Sequence, residues 1–353
     1  MDKKTIFFLG ISFVILGVML YLVGVDKVID ALNKSKKEYV VIAIILQVFT
    51  YYLYTLRWKI LNDVADINFG IKKLLPIVMV GLAVNNITPS GRGGGEPVRA
   101  YILAREGNYL MRDTFATVIA DRALDTLPFV VLAIITIIGM TLTFKFDLWL
   151  MVIMAVAVIV ITLILILLIF MSINRGFGLR VEGWIFSICK RFSKKDPEVL
   201  EKRIHSSVSG FQDTMSLVIH NKKALYLAVP LSFMIWIFEI TRVYFVFLAF
   251  GANINPIIIG EVFILASLAG MIPLLPGGVG AVDSIMVVFY SAAGITTALS
   301  AAATFVERLI SFWLAIVIGL IILPHYGSSV LDSLSFSFSK DENEESQDET
   351  EDT

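Results

Sequence analysis

Charged side chains recur inside the apolar segments of this 353-residue chain, at spacings that place several of them on shared helix faces. Asp121 and Asp125 are four residues apart and so lie on one face of a helix, with Arg122 about 100° around it. Glu239 and Arg242 are three residues apart and can pair. Because a charged side chain at membrane depth costs about 2.5–3.5 kcal/mol on insertion scales, such residues tend to face a partner or water. The pattern predicts a polar cavity within an apolar protein.

The candidate binding site comprises these charged residues and the glycines of two Gly/Pro-rich breaks. Arginine suits phosphate because its planar guanidinium donates two parallel hydrogen bonds, and exposed glycine amides add further donors. Carboxylates in the same place could balance the arginines, bind a cationic headgroup or carry protons. We predict no catalytic residue, metal or cofactor. The candidate residues are Arg57, Arg92, Gly93, Gly94, Glu96, Arg99, Asp121, Arg122, Asp125, Glu239, Arg242, Gly277, Gly278, Gly280, Asp283, Glu307 and Arg308.

A structural interpretation competes with this one. In it, Asp121 with Arg122 and Glu307 with Arg308 form buried ion pairs that clamp the two halves of the protein together. Motifs for other chemistry are missing. The glycine run at 91–96 lacks the Gly-Lys-Ser/Thr end of a nucleotide loop, and neither Gly-x-Ser-x-Gly nor His-Glu-x-x-His occurs. For the cluster as a whole we favour a binding or transport site.

The elements that must position these residues are membrane helices. Hydrophobic residues make up 57% of the chain and charged residues 17%, whereas soluble domains carry about 25% charged residues. Several apolar runs are long enough to cross about 30 Å of hydrocarbon. They lie at residues 5–25, 39–56, 114–142, 148–173, 224–250 and 304–323. The predicted fold class is an all-α polytopic membrane protein with six or more full spans.

Two further apolar segments are interrupted and predict re-entrant hairpins. Residues 74–88 are followed by Pro89 and a glycine run, and residues 257–275 by a second break at 276–280. Irregular backbone at membrane depth is tolerated only where protein or a watered cavity covers it. With both segments as hairpins, the positive-inside rule places the basic links and both termini in the cytoplasm.

The two halves match at an offset of 186 residues. Asp121-Arg122 aligns with Glu307-Arg308, and Arg57 falls opposite Arg242 one residue out of register. Under the predicted topology the first hairpin enters from the cytoplasm and the second from outside. The halves would then be inverted in the membrane, an arrangement that many transporters use.

The domain prediction follows from this repeat. An integral membrane domain at 1–323 contains repeat halves at about 39–173 and 224–323, a cytoplasmic amphipathic segment at 174–223 precedes the second half, and a disordered acidic tail occupies 324–353. The amphipathic segment predicts an interfacial helix. Its apolar stripe consists of Ile204, Val208, Phe211, Met215 and Val218.

Three strings of residues together resemble one known family. The three strings are residues 86–99, Asp121-Arg122 with Asp125, and residues 273–280 followed by Glu307-Arg308. They are similar to the lysylphosphatidylglycerol synthase transmembrane region, also called the flippase-like integral membrane family. The resemblance covers roughly residues 5–323 and implies a membrane module that handles lipid. In the best-understood relatives this region moves aminoacylated phospholipid between leaflets, while a separate soluble domain makes that lipid. We see no such domain after residue 325 and do not expect lysyl-lipid synthesis.

The leading hypothesis is a lipid translocase in the cell membrane, which moves a polar-headgroup phospholipid or lipid-linked precursor between leaflets. In it, Arg92, Arg99, Arg122 and Arg308 would contact phosphate. One alternative is a membrane-embedded lipid-modifying or glycosyl-transferring enzyme, with Asp121 or Glu96 as general base. Another is a scaffold for a soluble or membrane synthase or glycosyltransferase. The expected partners are membrane phospholipids and, for the scaffold, such an enzyme; nucleic acid is not among them.

Overall fold

The computed structural model describes residues 33, 35–88, 94–143, 148–192, 197–271 and 278–326. These residues are almost all helical and include no strand, which confirms the all-α class for the described part of the chain. The predicted first span at 5–25 and the tail from 327 onwards lie outside the described residues. The helices are α1 Lys37–Val64, α2 Ile71–Ile87, α3 Gly95–Gly107, α4 Met111–Thr143, α5 Leu148–Ile173, α6 Arg175–Phe192, α7 Pro197–His220, α8 Lys222–Ala249, α9 Pro256–Gly270, α10 Ala281–Ala292 and α11 Thr297–Tyr326.

Four of these helices, α1, α4, α8 and α11, are long and apolar enough to cross a membrane. Large apolar side chains on α1 and α5, such as Ile45 and Leu163, are exposed on the outside of the helix bundle. In water such a surface would be unfavourable, whereas in lipid it is the expected one. The chain is therefore a helical membrane protein with several apolar helices.

Two pairs of shorter helices occur at the predicted breaks. Helix α2 ends at Ile87 because the next residue, Thr88, precedes Pro89 and adopts an extended conformation. Helices α2 and α3 approach so closely that a Cβ atom on Gly95 would clash with the carbonyl oxygen of Gly81. At about 1.5 Å per residue, α2 and α9 are about 26 Å and about 22 Å long, less than the thickness of the hydrocarbon core.

The second break contains two glycines in the left-handed region. Gly278 and Gly280 have φ values of 66° and 85°, which residues with a Cβ atom rarely adopt. Gly280 precedes α10, and its N–H donates to Oδ2 of Asp283 at 2.8 Å. The glycines of this break therefore serve to turn the chain into α10 and to fix a carboxylate at its first turn.

The helix order of the first half recurs in the second. Helices α1 to α4 correspond in order to α8 to α11. The starts of α2, α3 and α4 recur 185 or 186 residues later as the starts of α9, α10 and α11. This spacing agrees with the offset found in the sequence.

Helices α1 and α8, which correspond in the two halves, pack against each other in antiparallel orientation. The Arg57 guanidinium on α1 donates to Ser232 Oγ on α8 at 3.1 Å, and the Arg242 guanidinium on α8 donates to Gln47 on α1. The two arginines occupy one repeat position, and Gln47 and Ser232 occupy another, ten residues earlier in each helix. The two hydrogen bonds therefore require equivalent helices to run in opposite directions.

The amphipathic segment forms two helices, α6 and α7, instead of the single helix expected. Met215 and Val218 of the apolar stripe are buried against Leu61 of α1 and Ala120 of α4. The stripe thus provides packing against the protein. Exposed apolar side chains occur on α6, where Trp184 projects outward, and on α7 at Leu217.

Candidate functional site

A polar cavity of about 140 Å³ lies where α1, α4, α8 and α11 meet, and α2, α3, α9 and α10 also contribute to its wall. One water molecule needs roughly 10–15 Å³ of such volume, so the cavity has room for a small hydrated group. Side chains of both signs and from both halves line it. The charged ones are Arg57, Arg99, Arg122, Arg242, Arg308, Glu96, Asp121, Asp125, Glu239 and Glu307.

The first half contributes an inner ion pair at the deepest point of the network. Arg57 Nε lies 2.7 Å from Asp121 Oδ1, and Arg57 Nη1 lies 3.0 Å from Asp125 Oδ1. Arg99 Nη2 reaches the other Asp121 oxygen at 2.9 Å. Arg57 and Asp121 are almost completely buried. Burying such charges costs several kcal/mol each unless they are paired in this way.

The outer ion pair of the first half joins Arg122 to Glu96 at 2.7 Å. Glu96 lies in the first turn of α3. Its Oε1 also accepts from Asn85 Nδ2 at 3.3 Å, and Asn85 Oδ1 accepts from the Gly95 N–H at 2.6 Å. Asn85 thus anchors both the start of α3 and its carboxylate. The Arg122 side chain remains 33% exposed.

The second half repeats both pairs. Its inner pair joins Arg242 to Glu307 at 2.7 Å, and Arg242 also pairs with Glu239. Its outer pair joins Arg308 Nε to Asp283 Oδ1 at 3.1 Å. Asp283 lies in the first turn of α10, as Glu96 does in α3. Each half therefore places one buried ion pair inside and one partly exposed ion pair outside.

Aromatic rings support two of the arginines. The Arg99 guanidinium lies 4.4 Å from the centroid of a Trp58 ring, and that of Arg308 lies 4.3 Å from the Phe312 centroid. Phe312 belongs to a π-helical turn, Leu309–Trp313. Its carbonyl oxygen accepts from Asn86 Nδ2 at 3.2 Å, which connects the end of α2 to the other half. Such turns interrupt the regular helical bonding and are frequent at functional sites.

The adjacent acid–arginine pairs in the sequence do not pair with each other. Asp121 binds Arg57 and Arg99, whereas Arg122 binds Glu96 and also lies 3.6 Å from an oxygen of Asp125. Neighbouring residues on a helix point about 100° apart, so they reach different partners. In the part of the chain that the structure describes, eight ion-pair contacts of this network join residues of the same half. The structure thus shows Asp121-Arg122 and Glu307-Arg308 in ion pairs within each half.

Ten of the predicted site residues, all of them charged, line the cavity. Asp283 does not line it but joins the network through Arg308. Gly94, Gly278 and Gly280 flank α3 and α10 as backbone positions. The remaining predictions, Arg92, Gly93 and Gly277, lie outside the described residues.

The sequence reasoning missed several uncharged residues of the wall. Three amide side chains could have been predicted as wall residues, because amides are uncommon inside apolar runs. They are Gln47 and the neighbouring pair Asn85 and Asn86. Tyrosine, tryptophan and serine give no such signal, since they also occur in ordinary spans. The missed polar and aromatic residues are Gln47, Tyr51, Tyr54, Asn85, Asn86, Trp236, Phe263, Ser267, Ser311 and Phe312.

Four buried polar atoms of the wall have no hydrogen-bond partner within the described residues. They are Nε of Arg99, Nε of Arg242, Oε2 of Glu96 and the hydroxyl oxygen of Tyr51. Buried polar groups are satisfied in the great majority of cases, so such atoms mark places where a polar group can bind. The cavity thus offers two guanidinium donors, one carboxylate acceptor and one hydroxyl that can donate or accept, beyond its own ion pairs.

Comparison with known proteins identifies one family and several membrane-protein relatives. The family model described as the lysylphosphatidylglycerol synthase TM region matches residues 6–319. A UPF0104 membrane protein of Methanothermobacter thermautotrophicus is 47% identical over 334 residues, which cover 95% of this chain and 99% of that protein. A UPF0104 membrane protein of Methanocaldococcus jannaschii is 32% identical over 323 residues, covering 90% and 94%. One of Pyrococcus horikoshii is 27% identical over 325 residues, covering 90% and 96%.

Proposed function

Because the chain belongs to the lysylphosphatidylglycerol synthase transmembrane region family, we propose that it is a flippase-like lipid translocase. It moves a phospholipid or lipid-linked precursor with a polar headgroup between leaflets. The observation that carries this proposal is the cavity lined by arginines and carboxylates from both halves, inside helices long enough to span a membrane.

A polar headgroup cannot cross hydrocarbon easily because it must give up its hydration, which costs several kcal/mol for each unsatisfied polar group. The cavity supplies replacement partners along that route: guanidinium groups for phosphate, and carboxylates for an amine or another cation. The acyl chains, which need no such partners, stay in the surrounding lipid. In this proposal Arg122 and Arg308, whose ion pairs are the more exposed, are the first to meet the headgroup.

The proposal includes an inverted topology. The antiparallel packing of α1 against α8 and the shortness of α2 and α9 support two halves of opposite orientation, each with a re-entrant helix pair. Transporters with inverted repeats place their substrate site between the halves, near the middle of the membrane. Rocking of one half against the other would then open the cavity to each leaflet in turn.

For the enzyme alternative, the geometry disfavours Asp121 as the general base, whereas Glu96 keeps one carboxylate oxygen without a hydrogen-bond partner among the described residues. A general base needs a carboxylate oxygen that is free to accept a proton from the substrate. Asp121 uses both oxygens to bind Arg57 and Arg99. It serves better as the fixed counter-charge of two arginines than as a base.

The test is leaflet exchange by the purified protein in phospholipid vesicles. Headgroup-labelled fluorescent phospholipids are reduced from outside, and the rate at which inner-leaflet label becomes accessible is measured. We expect wild-type protein to exceed empty vesicles for at least one lipid class. Arg122→Ala should slow exchange about tenfold, which corresponds to roughly 1.4 kcal/mol of lost stabilisation.

Arg175→Ala is the matched control, since Arg175 forms an exposed pair with Asp213 outside the cavity. Its exchange rate should equal that of wild type. Size-exclusion profiles of all variants check that they remain folded. Exchange no faster than in empty vesicles, across phosphatidylglycerol, phosphatidylethanolamine and phosphatidylcholine, would contradict the proposal.

A further inference from the structure

Glu96 and Asp283 lie in places that suit an anion. Each is in the first turn of the short helix that follows a break, α3 for Glu96 and α10 for Asp283. The N-terminal turn of a helix exposes N–H groups and carries a partial positive charge, so it favours a carboxylate or a phosphate. In both places an arginine from the following long helix, Arg122 or Arg308, approaches the same carboxylate.

These arginines are already neutralised by the protein. A phosphate entering the cavity can therefore gain the full interaction with Arg122 or Arg308 only where the carboxylate moves away. A lipid phosphate can replace the carboxylate because it too carries a negative charge and accepts two parallel hydrogen bonds from a guanidinium. In the first half, the unpartnered Nε of Arg99 adds a further donor to the wall of the same cavity.

We propose that the carboxylates of Glu96 and Asp283 occupy two equivalent phosphate-binding sites, one in each half. The phosphate of the cargo binds by displacing one of these carboxylates. This inference rests on the proposed function and names the chemical class that the site takes, a phosphate group. Because the carboxylate competes for the same arginine, it lowers the affinity of the site for phosphate. A headgroup that has bound can therefore also dissociate.

Each displaced carboxylate keeps a second partner, which makes the exchange chemically reasonable. Glu96 retains the Asn85 amide, and Asp283 retains the Gly280 N–H. The two sites differ in solvation, because the Glu96 side chain is 9% exposed and that of Asp283 is 34% exposed. Water can stabilise a displaced Asp283 but hardly a displaced Glu96, so displacing Glu96 costs more free energy. Removing the charge of Glu96 should therefore raise phosphate affinity more than removing that of Asp283.

The test is a calorimetric titration of the full-length protein in detergent with two probes, inorganic phosphate and dihexanoyl phosphatidic acid. We expect Glu96→Gln to bind about tenfold tighter than wild type and Asp283→Asn about threefold tighter, since each frees a charged donor. Asp63→Asn, which removes the partner of exposed Lys59, is the matched control and should change nothing. Adding Arg122→Gln to Glu96→Gln should abolish the gain.

A gain in affinity for both probes, or for phosphatidic acid alone, supports phosphate-binding sites that a lipid headgroup uses. A gain with inorganic phosphate alone overturns the assignment to lipid. Unchanged or weaker affinity in both variants overturns the displacement itself. Glutamine and asparagine preserve side-chain size, and Asp283→Asn tests the idea independently where Glu96→Gln does not fold. Leaflet exchange by the wild-type protein is measured separately, so that result can stand even where the displacement fails.

Discussion

Replacing Arg57 by methionine is expected to lower the free energy of unfolding by about 3–5 kcal/mol, because it leaves the buried charge network of the first half with one negative charge uncompensated. Arg57 is 1% exposed and compensates both Asp121 and Asp125. Methionine has a similar volume although it is shorter, so the loss reflects mainly the missing charge. The measurement is the unfolding midpoint of the purified protein during titration with sodium dodecyl sulfate.

Two further variants identify the cause. Lys59→Met lies two residues along the same helix but removes an exposed pair with Asp63, so the change should stay within about 0.5 kcal/mol. Asp125→Met combined with Arg57→Met restores charge balance, because Arg99 still neutralises Asp121. This double variant should recover much of the lost stability. Equal stability of Arg57→Met and Lys59→Met would contradict the buried network.

Cysteines at Asn68 and Asn253 are expected to react from opposite sides of the membrane. The two residues are 185 positions apart, both are exposed, and they occupy equivalent connections before α2 and α9. In an inverted repeat, equivalent connections face opposite compartments. The positive-inside rule places Asn68 in the cytoplasm. In a Cys189→Ser background, an impermeant maleimide should therefore label Asn253→Cys in intact cells and Asn68→Cys only in inside-out vesicles.

A second pair of positions tests whether the short helix pairs re-enter the membrane. Glu106→Cys at the end of α3 should react from the same side as Asn68→Cys, and Thr297→Cys at the start of α11 from the same side as Asn253→Cys. Both positions are exposed. Labelling of Asn68→Cys and Asn253→Cys from one side would exclude inversion. Labelling of Glu106→Cys opposite to Asn68→Cys would show that α2 and α3 cross as one span.

The ends of the helices were partly predictable from the sequence. Pro89 and the glycine run correctly marked the end of α2, because proline restricts the residue before it. The apolar run at 39–56 stopped at Arg57, yet α1 continues to Val64. The apolar run ended there because a charged residue lowers the hydropathy. The helix continues past Arg57, because this residue pairs with Asp121 and Asp125 within the bundle.

The charged residues of the cavity wall were predictable from the sequence, but most of their ion-pair partners were not. Spacing alone correctly paired Glu239 with Arg242, since residues three apart on a helix meet. The bond from Arg57 to Asp121 joins residues 64 positions apart, and only the packing of α1 against α4 brings them together. Sequence adjacency was misleading for Asp121 and Arg122, which point to different neighbours.

The route of the headgroup through the protein can be tested directly by cross-linking. Wild-type protein in vesicles is irradiated with a phospholipid that carries a photoreactive group in its headgroup, and the cross-linked residues are mapped by mass spectrometry. If the cavity carries the headgroup, we expect cross-links to residues of its wall, such as Tyr51, Trp236 and Ser267. Cross-links confined to outward-facing residues, such as Ile45 and Leu163, would contradict a route through the cavity.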